Sequence, residues 1–514
     1  MVRTAEREGI ADLLIVAARR SPDATALVEG EVSLTFAELL ERASSFARTL
    51  LRLGVRPGDV VTAQLPTWWE TEVVMYGVLL AGAVHNPVVS IYREHELGFV
   101  VAQARPRVLV VPGTVRGHDH LATARSILTG LGASDGPLPR LVVVRPDGPV
   151  PEDVTVFGSS EPAGAALPER GVDDDVALLL YTSGSTADPK GALHSHRTLI
   201  HEARQVAGTA RLSEADAVFM ASPLTHITGL VFGSVLPVDL GIVSVLLDRW
   251  EPERAVDLIE RHRCTFTVSA TTFLLGLVRI HEGRGTRSSL RVFVCGGAEI
   301  GPELVRRARS VLGTRVVRCY GSTEFPTFSL GDPYDESDST ADNDGAVVPL
   351  ASWRTDVETG ELLIRGAELF LGYLDRRLDA EAFTDDGFFR TGDVVHIDER
   401  GATVVGRTKD IIIRGGENLS AIEIEDHLVQ HPAVRDVAVV AMPDEVLGER
   451  ACAFVVTAPG AELDLVGLRR FLTERGLAIQ KVPERLELLT ELPRTPSGKV
   501  QKFKLREEAA RPSS

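Results

Sequence analysis

The chain has 514 residues, 44% of them hydrophobic and 25% charged, and a formal net charge of −17. That length exceeds what one hydrophobic core supports, so two or more domains are expected, and the composition excludes a disordered chain. The acidic balance argues against a general nucleic-acid binder, because phosphate backbones need a basic surface.

At the N-terminus, Met1 to Arg20 mixes Glu6, Glu8 and Asp12 with its apolar residues. It lacks a clean apolar core and a cleavage site, so no signal peptide is expected. Thr35 and Glu38 have capping-box spacing and open a helical pattern that runs to Leu53 and stops at Gly54. Residues 68–82 read as a second helix, and Val108 to Val111 as a short strand. Between about Gly130 and Asp175, Pro, Gly and Asp recur, which predicts surface loops around short strands. The weakly charged stretch from Gly229 to Leu247 is interrupted by Pro237 and Asp239, so a buried helix and strand are expected rather than a membrane span.

The middle of the chain alternates helix and strand. Pro252 to His262 is an amphipathic helix with Pro in its first turn, Thr265 to Val268 a strand and Thr272 to Arg279 a helix. Arg291 to Cys295 is a strand running into Gly296-Gly297, Pro302 to Leu312 a helix, and Arg315 to Tyr320 a strand ending at Gly321. Such alternation implies α/β architecture with parallel sheets covered by helices, and ligands bind at the carboxyl ends of such strands. The last hundred residues differ. Ser420 and Glu423 form a second capping box opening a helix to about Gln430. Val437 to Ala441 and Ala451 to Val456 are strands, and Leu465 to Arg475 is a helix, enough for a small separate α+β domain.

Cys264, Cys295, Cys319 and Cys452 show no CxxC pairing, so buried free thiols in a reducing cytoplasm are expected. Only six lysines occur, Lys190, Lys409, Lys481, Lys499, Lys502 and Lys504, in a chain whose other cations are arginine. Each lysine is therefore informative, because arginine serves equally for simple surface charge.

Four segments carry possible chemistry. The run Tyr181-Thr182-Ser183-Gly184-Ser185-Thr186-Ala187-Asp188-Pro189-Lys190-Gly191 follows the apolar residues Val176 to Leu180. Small hydroxyl residues and glycines let backbone N–H and side-chain O–H groups wrap phosphate oxygens, and Lys190 adds a point charge. The order is not that of a Walker A loop. A solvent loop built of turn formers accounts for the same residues. Tyr320-Gly321-Ser322-Thr323-Glu324 ends a strand; its glycine permits close approach of a ligand and Glu324 can hold Mg²⁺ beside phosphates, though a plain turn fits as well. Arg390-Thr391-Gly392-Asp393, with Arg407, Lys409 and Gly415-Gly416-Glu417-Asn418 downstream, offers a carboxylate for ribose hydroxyls in a region that also reads as ordinary hairpins. Pro493 to Lys499 places a lysine on a Gly-containing loop, suited to reaching a site formed elsewhere or to solvent.

Together and in this order, these motifs resemble the adenylate-forming superfamily of acyl-CoA synthetases, peptide-synthetase adenylation domains and firefly luciferase, from about residue 10 to 506. The resemblance implies a large N-terminal AMP-binding domain, 1–408, with a small barrel-like subregion. It also implies a small mobile α+β C-terminal domain, 410–514, hinged at Lys409. It makes residues 182–190 the phosphate loop, with Thr182, Ser183, Gly184, Ser185, Thr186 and Lys190 on ATP. Tyr320, Gly321, Ser322 and Thr323 line the nucleotide site with Gly297 and Ala298, Glu324 supports Mg²⁺, Asp393 binds the ribose and Arg407 contacts the nucleotide. Lys499 bridges the substrate carboxylate and the α-phosphate, with Glu324 and Thr186 as its catalytic companions. Gly415, Gly416 and Glu417 line the coenzyme A channel after the domain swings. The implied reaction forms acyl-AMP and pyrophosphate from acid and Mg·ATP, then passes the acyl group to CoA.

Within that family, Pro66-Thr67-Trp68-Trp69-Glu70, Asn86-Pro87 and Tyr92-Arg93-Glu94 resemble cyclohexanecarboxylate and medium-chain acyl-CoA ligases. By the same resemblance His226, Gly229, Phe273, Gly297 and Gly321 line the acyl pocket, and a buried structural His226 is the competing reading. Glycines on the wall leave room, so the acid is expected to be alicyclic, medium-chain or terpenoid-like. Two departures stand out: Ala187 replaces a glycine of the phosphate loop, and the Gly345–Gly360 region is short, with Ala346 where arginine is common. They motivate an alternative, a member that only transfers a partner-made acyl adenylate to CoA, as in antibiotic pathways. A non-catalytic nucleotide- or acyl-binding protein is a further alternative, which Lys499, Asp393 and Glu324 oppose. A peptide-synthetase loading domain is another. No attached carrier domain is expected after Arg506, no nucleic acid is expected as partner, and oligomeric state is not legible.

Overall fold

The computed structural model describes residues 8–131, 137–158, 166–182, 189–297, 300–335, 337–408, 410–414, 417–444, 446–475, 477–494 and 500–511. Two largely parallel sheets organise the large N-terminal domain. The first runs in the spatial order Lys190–Ser195, Val176–Thr182, Val84–Pro87, Val60–Ala63, Val108–Pro112, Arg140–Val144 and Val154–Val156. Only its Lys190–Ser195 edge is antiparallel. In the second, the parallel strands Arg315–Tyr320, Val292–Cys295, Phe266–Ser269, Val218–Met220, Ser244–Leu246 and Thr25–Glu29 are flanked by antiparallel edges. Strands such as Val292–Cys295 and Val108–Pro112 are buried along their whole length, as parallel strands covered on both faces must be.

The expected elements form close to their expected bounds. The helix Phe36–Arg52 starts at Thr35, whose hydroxyl accepts from the Glu38 N–H at 3.2 Å while the Glu38 carboxylate accepts from the Thr35 N–H at 2.8 Å. The helix expected from Thr272 begins at Thr271 and runs on to Arg284, where Gly285 ends it in a left-handed conformation. Gly229 to Leu247 contains the π-helical turn Val231–Val235, the short helix Leu236–Leu240 and the strand Ser244–Leu246. Among the described residues no helix is long and apolar enough to cross a membrane. The four cysteines are free, three of them buried and Cys319 partly so.

An antiparallel four-stranded sheet of Ser352–Thr355, Glu361–Arg365, Phe389–Asp398 and Gly401–Arg407 follows. It is tied to the larger sheet by the Asp344 and Ala402 N–H groups, which donate to Ala402 and Gly345 carbonyls at 2.7 and 2.8 Å. Beyond it stands the smaller C-terminal domain. Its sheet combines Ile411–Arg414, Glu417–Ser420, Val434–Asp444, Gly448–Thr457 and Arg485–Leu488, with the helices Ala421–Leu428, Leu465–Glu474 and Lys502–Ala509. Its buried residues, among them Ile424, Leu428, Val439, Phe454, Leu468 and Leu505, form clusters of their own. One expectation is corrected here. Ser420 caps its helix by accepting from the Glu423 N–H at 3.1 Å, but Glu423 does not close the box. Its carboxylate pairs with Lys481 at 2.6 Å, an ion pair that a hydrogen bond to a neutral N–H does not match.

Candidate active site

The site grows from the carboxyl end of Arg315–Tyr320. There the chain reverses so tightly that a side chain at Gly321 would meet the Pro326 carbonyl at 1.9 Å. Ser322 shapes the same turn: its hydroxyl accepts from the Glu324 and Phe325 N–H groups, each at 3.2 Å. The turn thus presents Tyr320, Thr323 and Glu324 together.

Tyr320 reaches the antiparallel sheet. Its hydroxyl donates to Asp393 Oδ2 at 2.7 Å, and Arg407 Nε lies 3.1 Å from Asp393 Oδ1. Asp393 and Arg407 are directly paired across adjacent strands, which is why a residue pair 14 apart in sequence converges. Asp393 is buried and Arg407 exposed. Burial, and then the Asp393 charge, push the Tyr320 phenol well above its ordinary pKa, so it stays a donor. A carboxylate only accepts, with about four lone-pair directions over its two oxygens.

Glu324 faces the other way. Tyr373 donates to its Oε1 at 2.8 Å, and the Phe370 N–H donates to its backbone carbonyl at 2.9 Å. Lys190 Nζ stands 5.2 Å from the Tyr373 ring centroid. The reason is that 371–374 lies along the strand Lys190–Ser195: the Leu371 and Leu374 N–H groups donate to Leu193 and Gly191 at 2.7 Å each. The hydrogen bond to Oε1 leaves Glu324 Oε2 for a hard cation carried by phosphates.

His194 fixes Thr323. Its Nε2–H donates to the Thr323 carbonyl at 2.7 Å, which makes Nδ1 the acceptor for the Thr198 hydroxyl at 3.1 Å. Burial holds this imidazole neutral, with a pKa pushed down to about 4 and only partly raised again by Thr323.

Of the expected residues, Thr182 and Lys190 pair across the base of the loop between them, with Thr182 Oγ1 3.5 Å from the Lys190 carbonyl. Ser183, Gly184, Ser185, Thr186, Ala187, Ala298, Lys409, Gly415, Gly416 and Lys499 lie outside the described residues. Glu417 lies on the strand Glu417–Ser420. Gly297 adopts φ +78° and opens onto free space. His226 is exposed at the start of the helix Ile227–Leu230, so the buried structural reading is excluded. Phe273 packs edge-on to Trp250 at 4.5 Å. The argument from roomy glycines is corrected at two positions. A side chain at Gly229 would strike the Pro223 carbonyl at 2.0 Å, and Gly321 is closed off by Pro326. Backbone contact, not ligand space, requires those two glycines, and Gly297 alone of the three faces open space.

Sequence reasoning missed His194, Phe370 and Tyr373. A signal existed for Tyr373, which follows Gly372, a glycine with φ +107°; nothing local marked His194.

Comparison with known proteins agrees with this layout. Residues 14–374 match the AMP-binding enzyme family, and residues 423–499 match the AMP-binding enzyme C-terminal domain. The chain is 34% identical over 519 residues to the medium-chain fatty-acid–CoA ligase of Escherichia coli K12, covering 98% of this chain and 90% of that one. It is 36% identical over 530 residues to the 2-hydroxy-7-methoxy-5-methyl-1-naphthoate–CoA ligase of Streptomyces carzinostaticus, covering 97% and 93%. Among solved structures, ATP-bound MatB from Rhodopseudomonas palustris matches with a TM-score of 0.84 at 29% identity, covering 97% of this chain and 98% of that one.

Proposed function

The chain belongs to the AMP-binding enzyme family of acid-activating ligases, and on that premise we propose that it joins a bulky alicyclic, medium-chain or terpenoid-like carboxylic acid to coenzyme A through an acyl-adenylate. The observation that carries the reading is the single turn 320–324, from which Tyr320 meets Asp393 and Glu324 meets Tyr373 beside Lys190. One turn thus carries Glu324, a carboxylate suited to a cation, and reaches through Tyr320 to Asp393, a carboxylate suited to ribose, which fits the two ends of a nucleotide.

In the first step the substrate carboxylate oxygen attacks the α-phosphorus of Mg·ATP, and the bond to pyrophosphate breaks. Negative charge grows on the phosphate oxygens, so Lys190 and Lys499 stabilise the transition state, with Thr186 donating to the same oxygens. Glu324 holds the Mg²⁺ that travels with the phosphates, and Asp393 accepts from the ribose hydroxyls. The 410–514 domain then turns about Lys409, withdrawing Lys499 and bringing Gly415, Gly416 and Glu417 to the pantetheine channel. The thiol of CoA loses its proton and attacks the acyl carbonyl, and AMP leaves. The substrate class is supported by the relatives' acids, a medium-chain fatty acid and a substituted naphthoate, and by open space at Gly297. A cytoplasmic location fits the four free thiols.

Incubation with a panel of such acids, ATP and CoA, reading pyrophosphate, AMP and thioester separately, tests the proposal. Pyrophosphate release with acid and ATP alone is expected. Thioester formed only from supplied acyl-adenylate would instead identify a transfer-only member, the outcome that Ala187 motivates. Absence of both reactions defeats the reading.

Tyr373→Phe removes the donor to Glu324 while keeping the ring beneath Lys190. Magnesium titration of pyrophosphate release should show a half-saturating Mg²⁺ concentration about tenfold higher, with the KM for the acid unchanged.

A further inference from the structure

Behind the turn lies a pair of buried acids with no role so far. Glu202 sits on the helix His196–Thr209 with 0% exposure, and Glu368 sits before Phe370 with 1%. The two carboxyl groups contact one another. Glu202 Oε1 accepts from the Thr327 hydroxyl at 2.6 Å. Glu202 Oε2 and both Glu368 oxygens have no donor from any N–H or hydroxyl.

Two adjacent carboxylates out of water cannot both stay charged, because desolvation and mutual repulsion act in the same direction. One proton between them removes a charge and satisfies the unpartnered oxygens, as in other close carboxyl pairs. Thr327 already donates to Glu202, which makes Glu202 the ionised acceptor and Glu368 the acid. The other groups facing the pair do not neutralise it. His201 Nε2 stands 3.7 Å from Glu368, but burial and Arg204 lower its affinity for a proton. Arg204 itself is turned to Asp239 and Glu8 at 2.8 Å. The Cys319 thiol, held protonated by burial and neighbouring acids, offers no cation.

The position of the pair gives it a consequence. Glu202 reaches Thr327, three residues past Glu324. Glu368 precedes Phe370 and Tyr373, both of which donate to Glu324. We propose that Glu202 and Glu368 hold one proton between them and thereby clamp the 366–374 segment against the Glu324 turn, acting as positioning residues for adenylation. The clamp rests on the adenylation reading above, whereas the shared proton does not.

Glu368→Gln tests it, because the amide donates to Glu202 with the same shape and carries no titrating proton. Infrared spectra of the wild-type protein without substrate should show a protonated-carboxyl C=O band that, as pH rises, outlasts the band of buried Glu72, whose pKa is pushed up to about 8, and that is missing from Glu368→Gln. The folded chain keeps a proton that the unfolded chain releases, so wild-type stability falls as pH rises above the ordinary glutamate range. The melting temperature of Glu368→Gln relative to wild type should therefore climb from about pH 6 to about pH 9. Wild-type pyrophosphate release should decline only at the alkaline limit where that band disappears and the pair loses its proton, and Glu368→Gln should lose that decline while staying within about twofold of wild type at neutral pH. Glu368→Ala, which empties the contact, should lower kcat about tenfold at every pH with the acid KM little changed. A C=O band that still outlasts the Glu72 band in Glu368→Gln overturns the shared proton, and superimposable pH profiles overturn the clamp. If no acid yields an adenylate, the function reading fails while the infrared and melting measurements still decide the proton.

Discussion

Lys499→Ala is expected to slow acyl-adenylate formation by about 10²- to 10³-fold, while thioester formation from supplied acyl-adenylate and CoA stays within about threefold of wild type. The asymmetry follows from where charge develops. In the first step the α-phosphate gains charge as pyrophosphate departs, and an ammonium held against it in a water-poor site is worth several kcal/mol, on the order of what one preorganised donor supplies elsewhere. In the second step the charge develops at the acyl carbonyl and the leaving AMP, and in the proposed mechanism the lysine has been carried away. The ends of its loop are anchored: Arg494 and Val500 form an antiparallel bridge, Arg494 pairs with Asp436 at 2.6 Å, and the helix Lys502–Ala509 follows, with Lys502 on Glu425 at 2.7 Å. A substitution between such anchors should leave folding intact. Pyrophosphate release and thioester formation measured separately check it, and an equal loss in both partial reactions would sink the assignment of Lys499 to the first.

Asp393→Ala is expected to raise the KM for ATP about 100-fold and to lower stability by about 1 kcal/mol, the low end of the penalty for a donor that loses its partner, because Tyr320 is only half-buried. The stability loss comes from Tyr320, whose hydroxyl donates to Asp393 at 2.7 Å. The affinity loss is what the proposed contact of Asp393 with the ribose hydroxyls predicts. Arg407 is exposed and can turn to water, so its freedom adds little. Asp393→Asn separates the two effects: its side-chain oxygen keeps the Tyr320 bond, so stability should stay near wild type while ATP binding still weakens about tenfold. Calorimetric ATP binding and denaturant unfolding on the same preparations check both. ATP affinity unchanged in Asp393→Ala would make the residue purely structural.

The difference between what was legible and what was not can be argued from particular residues. Thr35 with Glu38, Pro302 to Leu312, and Arg315 to Tyr320 with its terminal glycine are local patterns, and local physics decides them: a cap three residues ahead, a period of 3.6, a run of apolar residues that stops at a turn. The motif segments were legible for a related reason, because glycine and hydroxyl residues stand in unbroken succession from Thr182 to Thr186, the composition that a phosphate-wrapping loop would need. Ser420 with Glu423 shows the limit, since a distant Lys481 outcompetes the local N–H.

By itself the sequence determined the α/β class, the order of the elements, the two-part division of the chain and the membership that its motifs imply. Only the tertiary structure decided that Asp393 is held by Tyr320, that Glu324 is aimed by Tyr373, that His194 grips Thr323 across 129 residues, and that Glu202 meets Glu368. It also decided that Gly229 and Gly321 are there for their own backbone. The reason is that a side chain's partner is set by how sheets and crossovers bring remote segments side by side. The strength of a buried hydrogen bond or a shared proton depends on water being excluded there, and neither quantity is written in the spacing of residues along the chain.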